Sequence, residues 1–290
     1  MPVVYPLAPH RTLEQLRVEA ADLLNRPTFP QALQTYTHAI SNYRRASSPF
    51  AKLIANEDRF RVLNYLYTVW AEKIGNGEEG VITYGDAYAI CGRGEVSARI
   101  VKTMLSLMTF FGFVERRRNP DDGRRWLYVP TATMIDFPLQ WLMPAAEALD
   151  ILSPDRCRAS RLREDPGILH HMFRSAGREF AAGVQPMTIQ HDFMEFFGRR
   201  EGGATFSMAL LIAEMDGEPA PSRSEVARRY GLTKSQVTTL IATGQEMGFL
   251  TVDKGVPMPT DSLRQNHAEW VALSLAFLGH HLWPSEAVPT

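Results

Sequence analysis

The chain has 290 residues, 45% of them hydrophobic and 22% charged, with a formal net charge of -1. That balance excludes a disordered chain and a protein that coats nucleic acid through its overall charge, and the length allows one large or two ordinary domains. The longest apolar run, Val271 to Leu278, is far short of the roughly 20 residues of a spanning helix, so no membrane partner is expected.

The opening MPVVYPLAPHR has neither a basic leader with an apolar stretch nor a small-residue cleavage site. Two cysteines, Cys91 and Cys157, are too few for a disulfide scaffold and lack metal-ligand spacing. Reduced thiols in the cytoplasm are the expectation. Residues 11–25 place Leu13, Leu16, Ala20, Leu23 and Leu24 at helical spacing, ended by Pro27 and Pro30, and a second helix is predicted from about Phe29 to Arg45. These form an N-terminal helical extension over 1–50, closed by SSP at 47–49.

A first domain over 51–152 begins with the apolar series Phe60, Leu63, Leu66, Tyr67 and Trp70, which runs to the GNGEEG loop at 75–80. A short helix over 83–91, a Gly-rich turn at 92–94 and a helix from about Ser97 to Phe110 follow. The period then changes: Phe113 to Arg118 and Arg125 to Val129 read as two strands joined by NPDDG, a hairpin in which Gly123 supplies a positive φ. Helical patterns over 133–152, 160–183, 187–200 and 205–216 come next, the last two split by REGG. A helical connector is assigned to 153–203 and a second domain to 204–290, ending in a helix from about Asp261 to Leu282 before Pro284.

The chain repeats itself. GEVSARIVKTMLSLMTFFGFVE (94–115) and YGLTKSQVTTLIATGQEMGFLT (230–251) align without gaps at an offset of 136. Ser97 and Thr233 are matched helix N-caps. Val101, Met104, Leu105 and Met108 form an apolar stripe, as do Val237, Leu240 and Ile241. Gly112 and Gly248 suit the left-handed residue that ends a helix. Upstream, SRSEVARRYGL (222–232) and TYGDAYAICGRGEV (83–96) are short helices closing in a turn, with about three extra residues at the turn of 83–96. Short helix, turn, capped helix and hairpin together predict a mainly α fold with small β-hairpin wings, arranged as tandem winged helix-turn-helix domains.

In that motif the second helix enters the major groove of double-stranded DNA, and its first turns meet base edges. The candidate contacts are Ser97, Ala98, Arg99, Lys102, Thr103 and Ser106 in the first copy, and Lys234, Ser235, Gln236, Thr238 and Thr239 in the second. The hairpin of the first copy adds Arg116, Arg117, Arg118, Arg124 and Arg125. Asp122 is placed to orient the Arg124 guanidinium toward a minor groove, while the other four arginines suit phosphates. From Arg93 to Arg125 the eight cations Arg93, Arg99, Lys102, Arg116, Arg117, Arg118, Arg124 and Arg125 face Glu95, Glu115, Asp121 and Asp122, a local surplus of +4 in a neutral chain.

NPDDGRRWLYVPT after GFVERR resembles the wing of MarR-family winged-helix regulators: Asp122, Gly123 and Arg124 match its Asp-x-Arg, and Thr131 its closing threonine. The resemblance covers about 55–131, more weakly 204–260, and implies a transcription regulator whose Arg124 touches the minor groove. Such chains are similar to half of this one and dimerise through terminal helices. Here two units and a longer N-terminus share one chain, the second hairpin, FLTVDKGVPMPT, is short and lacks arginine, and a homodimer remains an open partner.

Other signals are weaker. Cys91 reads as a small buried side chain rather than a redox sensor. His170 with His171, and His280 with His281, are adjacent and diverge on a helix, which does not suit a metal. No P-loop, G-x-G-x-x-G or G-x-S-x-G motif is present, so neither catalysis nor a cofactor is expected. The aromatic residues Phe180, Phe193, Phe196, Phe197, Trp270, Phe277 and Trp283 suit core or interface, and also a small-molecule effector pocket. Two other functions use the same architecture: a plasmid-type replication initiator, and a protein-interaction scaffold.

Overall fold

The computed structural model describes residues 5–46, 53–54, 56–91 and 96–283. The expected breaks at 47–49 and 92–94, the residues Arg93 and Glu95 in the charge balance, and the segment from Pro284 lie outside the described residues. Among the described residues the fold is mainly helical with two small antiparallel sheets.

Helix α1 (Leu13–Leu24) starts at a reciprocal cap, in which Thr12 Oγ1 accepts the Gln15 N–H and the Gln15 side chain accepts the Thr12 N–H. Helix α2 (Phe29–Tyr43) and the long α3 (Glu57–Gly75) follow. A two-residue strand β1 (Ile82–Thr83) precedes α4 (Tyr84–Cys91), then come α5 (Ala98–Phe110), β2 (Val114–Arg118) and β3 (Trp126–Pro130). The sequence pattern predicts a two-stranded hairpin; the sheet has three strands in the order β1-β3-β2, with Ile82 opposite Tyr128. Two residues are too few to show alternation, which is why β1 is silent in the sequence.

The helix predicted over 133–152 is two: α6 (Ala132–Asp136) and α7 (Leu139–Leu152). That over 160–183 is also two, α8 (Arg158–Glu164) and α9 (Pro166–Ala181), because Pro166 starts a helix and Asp165 Oδ1 accepts the Gly167 N–H. Then come α10 (His191–Phe197), α11 (Gly203–Met215), α12 (Arg223–Tyr230), α13 (Lys234–Glu246), the hairpin β4 (Leu250–Asp253) and β5 (Val256–Pro259), and α14 (Asp261–His281).

The repeat extends to individual hydrogen bonds. Gly112 has φ 73° and Gly248 has φ 74°. Phe113 N–H donates to Met108 O, and Phe249 N–H to Gly244 O, each at 2.8 Å. Thr131 Oγ1 donates to Gly112 O at 2.7 Å, and Thr260 Oγ1 to Gly248 O at 2.8 Å. The same threonines then cap the next helices, accepting from Met134 and Leu263 N–H. Upstream, Thr83 and Asp86 cap each other as Ser222 and Glu225 do.

Two apolar cores result. The larger holds α1 to α9 together with the second half of α14, from Val271 to Leu282; the smaller holds Phe193 to Leu263. Ile40 and Trp270 pack against both. Helix α2 adds polar ties to the smaller core, with Thr37 to His267 and Ser41 to Tyr230, both at 2.9 Å.

The larger core encloses a charged group. Glu179 is 1% exposed and accepts from Arg11 Nε and Nη2 at 2.9 Å and from His281 Nε2 at 2.5 Å. Ser175 Oγ accepts the Ala8 N–H and meets His281 Nδ1 at 2.9 Å. Every proton in this chain has an acceptor if Glu179 is ionised and His281 neutral. Burial opposes the Glu179 charge, but the bonds from His281 and Arg11 outweigh it and hold the carboxyl down to about 2. Burial in turn pushes His281 down to about 4, against the pull of Glu179.

His171 is pushed down to about 4, chiefly by burial, and His267 to about 3 by burial. All three buried imidazoles therefore bind protons more weakly than in the unfolded chain, where the value is about 6.5. Their contribution is complete above that value and is lost as the pH falls toward 4, whereas that of Glu179 persists until about pH 4 and fails below it. Urea unfolding is expected to show stability falling between pH 6.5 and 4.5 with a slope approaching about 4 kcal/mol per pH unit, roughly 1.4 for each histidine; a flat profile there would contradict neutral, buried imidazoles.

Candidate nucleic-acid interface

Helix α5 is two-sided. Val101, Met104, Leu105 and Met108 are buried, while Arg99, Lys102, Thr103 and Ser106 form an exposed stripe three and four residues apart. Ser97 caps the helix, its Oγ accepting the Ile100 N–H, and Ala98 is half-buried. Thr103 Oγ1 donates to Arg99 O at 2.9 Å, leaving its lone pairs outward. Lys102 Nζ stands 5.6 Å from the centre of the Tyr84 ring, so α4 helps to position it. The stripe ends in Phe110, which is 81% exposed. Its ring lies edge-on to Phe111 with centroids 5.1 Å apart and leaves most of its apolar surface exposed.

The first hairpin is held by its own arginines. Register places Arg116 opposite Tyr128 and Arg118 opposite Trp126, so these side chains share one face of the sheet. The guanidinium carbons of Arg116 and Arg118 lie 3.6 and 3.8 Å from the centre of the Trp126 ring. Arg118 Nη1 also donates to Gly123 O at 2.7 Å, fastening the strand to the loop. Arg117 pairs with Glu115 at 2.5 Å.

Asp122 does not hold the Arg124 guanidinium as expected. Its Oδ1 accepts the Arg124 backbone N–H at 3.1 Å, and its Oδ2 pairs with Arg125 Nε at 3.2 Å. Asp122 thus shapes the loop, and Arg124 has no ion-pair partner among the described residues. A short Asx-type turn draws the carboxylate back onto its own backbone, where it cannot reach the next side chain outward. Gly123 does not adopt the positive φ expected of it; Arg125 N–H donates to Asp122 O and Asn119 N–H to Arg125 O, and these bonds close the loop instead.

The second copy has the same frame with different chemistry. Thr233 accepts the Gln236 N–H, and the Gln236 side chain returns to the Thr233 N–H at 2.7 Å, so Gln236 is engaged in capping. Thr238 and Thr239 donate to Lys234 O and Ser235 O, and Ser235 Oγ meets Thr233 Oγ1 at 3.0 Å. At an offset of 136, the counterparts of Arg99, Lys102, Thr103, Ser106 and Phe110 are Ser235, Thr238, Thr239, Ala242 and Glu246. Lys234 is exposed beside this stripe, which itself holds no cation. The hairpin tip is two residues, Lys254 (φ 47°) and Gly255 (φ 83°), the pattern of a tight hairpin turn.

Ser175, His281 and Glu179 have the hydrogen-bond order of a hydrolytic triad. Ser175, however, is 3% exposed and its oxygen accepts the Ala8 N–H, so the group clamps the N-terminal segment rather than facing a substrate.

The stacked Arg116, Trp126 and Arg118 escape sequence reasoning because they depend on strand register; the Arg-x-Arg and Trp-x-Tyr alternation across the loop was the available signal. No protein-family model, curated protein or solved structure matches the chain.

Exposed cation–π contacts contribute about 0.5–1 kcal/mol each. Replacing Trp126 by alanine is therefore expected to speed amide hydrogen exchange in β2 and β3 by roughly 5- to 30-fold and to leave α13 unchanged. Equal acceleration in both places, or in neither, would show that the stack does not stiffen the hairpin.

Proposed function

We propose that the chain is a sequence-specific, double-stranded DNA-binding transcription regulator built on two winged helix-turn-helix units, with the first carrying most of the contact. The observation behind this reading is the exposed stripe of Arg99, Lys102, Thr103 and Ser106 on a helix whose opposite face is fully buried, beside a hairpin bearing Arg116, Arg117, Arg118, Arg124 and Arg125. A long polar helix face flanked by a projecting basic loop matches a major groove and the minor groove next to it. The resemblance of the first hairpin to MarR-family wings supports the same assignment, and it gives Arg124 the minor-groove position.

The roles divide by what already holds each side chain. Arg124 has no ion pair and stands at the tip, which suits insertion into a narrow groove. Arg116 and Arg118 lie against Trp126, with Arg118 also spent on Gly123 O; they present charge to phosphates from a stiff platform and read no sequence. The second unit contributes Lys234, Ser235, Gln236, Thr238 and Thr239, hydroxyl and amide groups with a single cation. Glu246 at the end of its stripe and the exposed Val256 and Met258 on β5 favour protein contact for that half, which keeps the scaffold reading alive for the second unit alone.

Duplexes enriched from a random library would supply the binding site. On that duplex, Arg99→Ala and Arg124→Ala are each expected to weaken binding at least about fivefold in fluorescence anisotropy, the size of a lost base-edge or groove contact of about 1–3 kcal/mol. The assignment fails if both variants bind as the wild type does.

Separately, Arg117→Ala is expected to flatten the slope of log affinity against log salt by about 0.9, one phosphate's worth, with sequence preference intact. A loss of sequence preference with the slope unchanged would move Arg117 from the phosphate to the bases.

A further inference from the structure

The turn of the second helix-turn-helix carries cations that the fold does not call for. Arg228 and Arg229 lie in the last turn of α12, Lys234 opens α13, and all three are exposed. Arg45, also exposed, joins them from the segment that follows α2. Ala46 N–H donates to Arg229 O at 3.0 Å, Ser41 Oγ meets Tyr230 Oη at 2.9 Å, and a Cβ on Gly231 would stand 3.2 Å from the Ala46 Cβ. None of the four cations forms an ion pair among the described residues.

Carboxylates here are few. Glu225, one turn back on α12, accepts the Ser222 N–H at 2.8 Å, and its carboxyl is held below the ordinary value first by Ser222 and then by Arg228 and Arg229. Arg200 and Glu201 cancel on the loop whose Gly202 lies against Leu232. Local structure explains only half of the remaining charge. A helix C-terminus attracts cations, which accounts for Arg228 and Arg229, but the N-terminus of α13 repels them, and Lys234 is its first residue. Arg45 belongs to neither helix. The first copy shows that the frame does without all of them. Ser222 and Glu225 stand 139 positions beyond Thr83 and Asp86, which puts Ala89 and Ile90 in the places of Arg228 and Arg229, and the offset of 136 puts Ala98 in that of Lys234. Cations gathered from separate segments, one of them against the local field, make a surface suited to a polyanion.

We propose that Arg45, Arg228, Arg229 and Lys234 clamp the phosphate backbone of the duplex, so that the second unit and the N-terminal extension hold DNA without reading it. The clamp rests on the DNA-binding function proposed above and adds the second unit's turn and the N-terminal extension to it. In a helix-turn-helix the first helix crosses the backbone and the next enters the groove, so the turn between them lies beside phosphates. The two copies thereby divide the labour: the first puts its cations on the helix that meets bases and on its hairpin, the second on the parts that meet the backbone. Glu246 is 12 residues on from Lys234, about 18 Å along α13, and Val256 and Met258 belong to the hairpin. A protein contact at that end is compatible with the clamp.

The test is the salt dependence of binding by the full chain, read as fluorescence anisotropy on a duplex enriched by the wild type, between about 50 and 200 mM potassium chloride. Arg45→Ala combined with Arg229→Ala is expected to flatten the slope of log affinity against log salt by about 1.8, two phosphates' worth, and to leave the affinity ratio between that duplex and a scrambled one unchanged. Arg45→Lys combined with Arg229→Lys is expected to keep the wild-type slope, because charge is what releases counterions. Arg17→Ala, which removes an exposed arginine of α1, is expected to leave the slope alone. A wild-type slope in the alanine pair, an equal loss in the lysine pair, a flattening by Arg17→Ala, or a changed ratio would each overturn the clamp. Failure of the DNA-binding function looks different: the wild type then binds no duplex, and the clamp falls with it. A slope indifferent to Arg45 and Arg229 while Arg124→Ala still weakens binding removes the clamp alone.

Discussion

A carboxylate buried beside an arginine organises this molecule. Glu179 on α9 binds Arg11 from the N-terminal segment and His281 from the end of α14, so three distant parts of the chain meet at one charge. An isolated ion there would be strongly disfavoured; the paired and fully hydrogen-bonded one is tolerable, and its geometry admits few alternatives. Fixing the end of α14 against the larger core also fixes its beginning, because a helix is stiff. That beginning carries Leu263 into the smaller core and continues directly from β5. The placement of the second repeated unit thus depends on a hydrogen-bond cluster far from it.

Helix α2 provides the second constraint. Its larger contact is with α7, yet Thr37, Ile40 and Ser41 reach the smaller core. Two helices, α2 and α14, therefore belong to both cores, and the seam they cross is lined by aromatic residues and by arginines with few carboxylates. Neither core is closed without elements supplied from elsewhere in the sequence. Motion of one unit against the other must disturb buried hydrogen bonds as well as apolar packing.

Much of the frame was legible in the sequence because it is written locally. Ser97, Thr233, Gly112 and Gly248 announce helix ends through backbone requirements that adjacent residues satisfy, and the offset of 136 brings them into register. The breaks at Phe137 and Asp165 were harder, since the apolar pattern continues across them. What stayed hidden was non-local. The Arg11–Glu179 pair joins residues 168 positions apart, a separation at which no local pattern signals a contact. The role of Asp122 is hidden for a related reason: the choice between its neighbour's backbone and its neighbour's side chain is decided by the local turn.

The two copies keep their caps and stripes in register but differ by seven residues between the end of the capped helix and the closing threonine, 18 positions from Phe113 to Thr131 against 11 from Phe249 to Thr260. At about 3.3 Å per extended residue, that surplus shared between two arms lets the first hairpin project at most about 12 Å farther than the second. Chain length alone then separates the two halves. A surface touched by the body of both units is within reach of both; anything one groove-wall beyond it is within reach of the first hairpin only, whatever charges the second might come to carry.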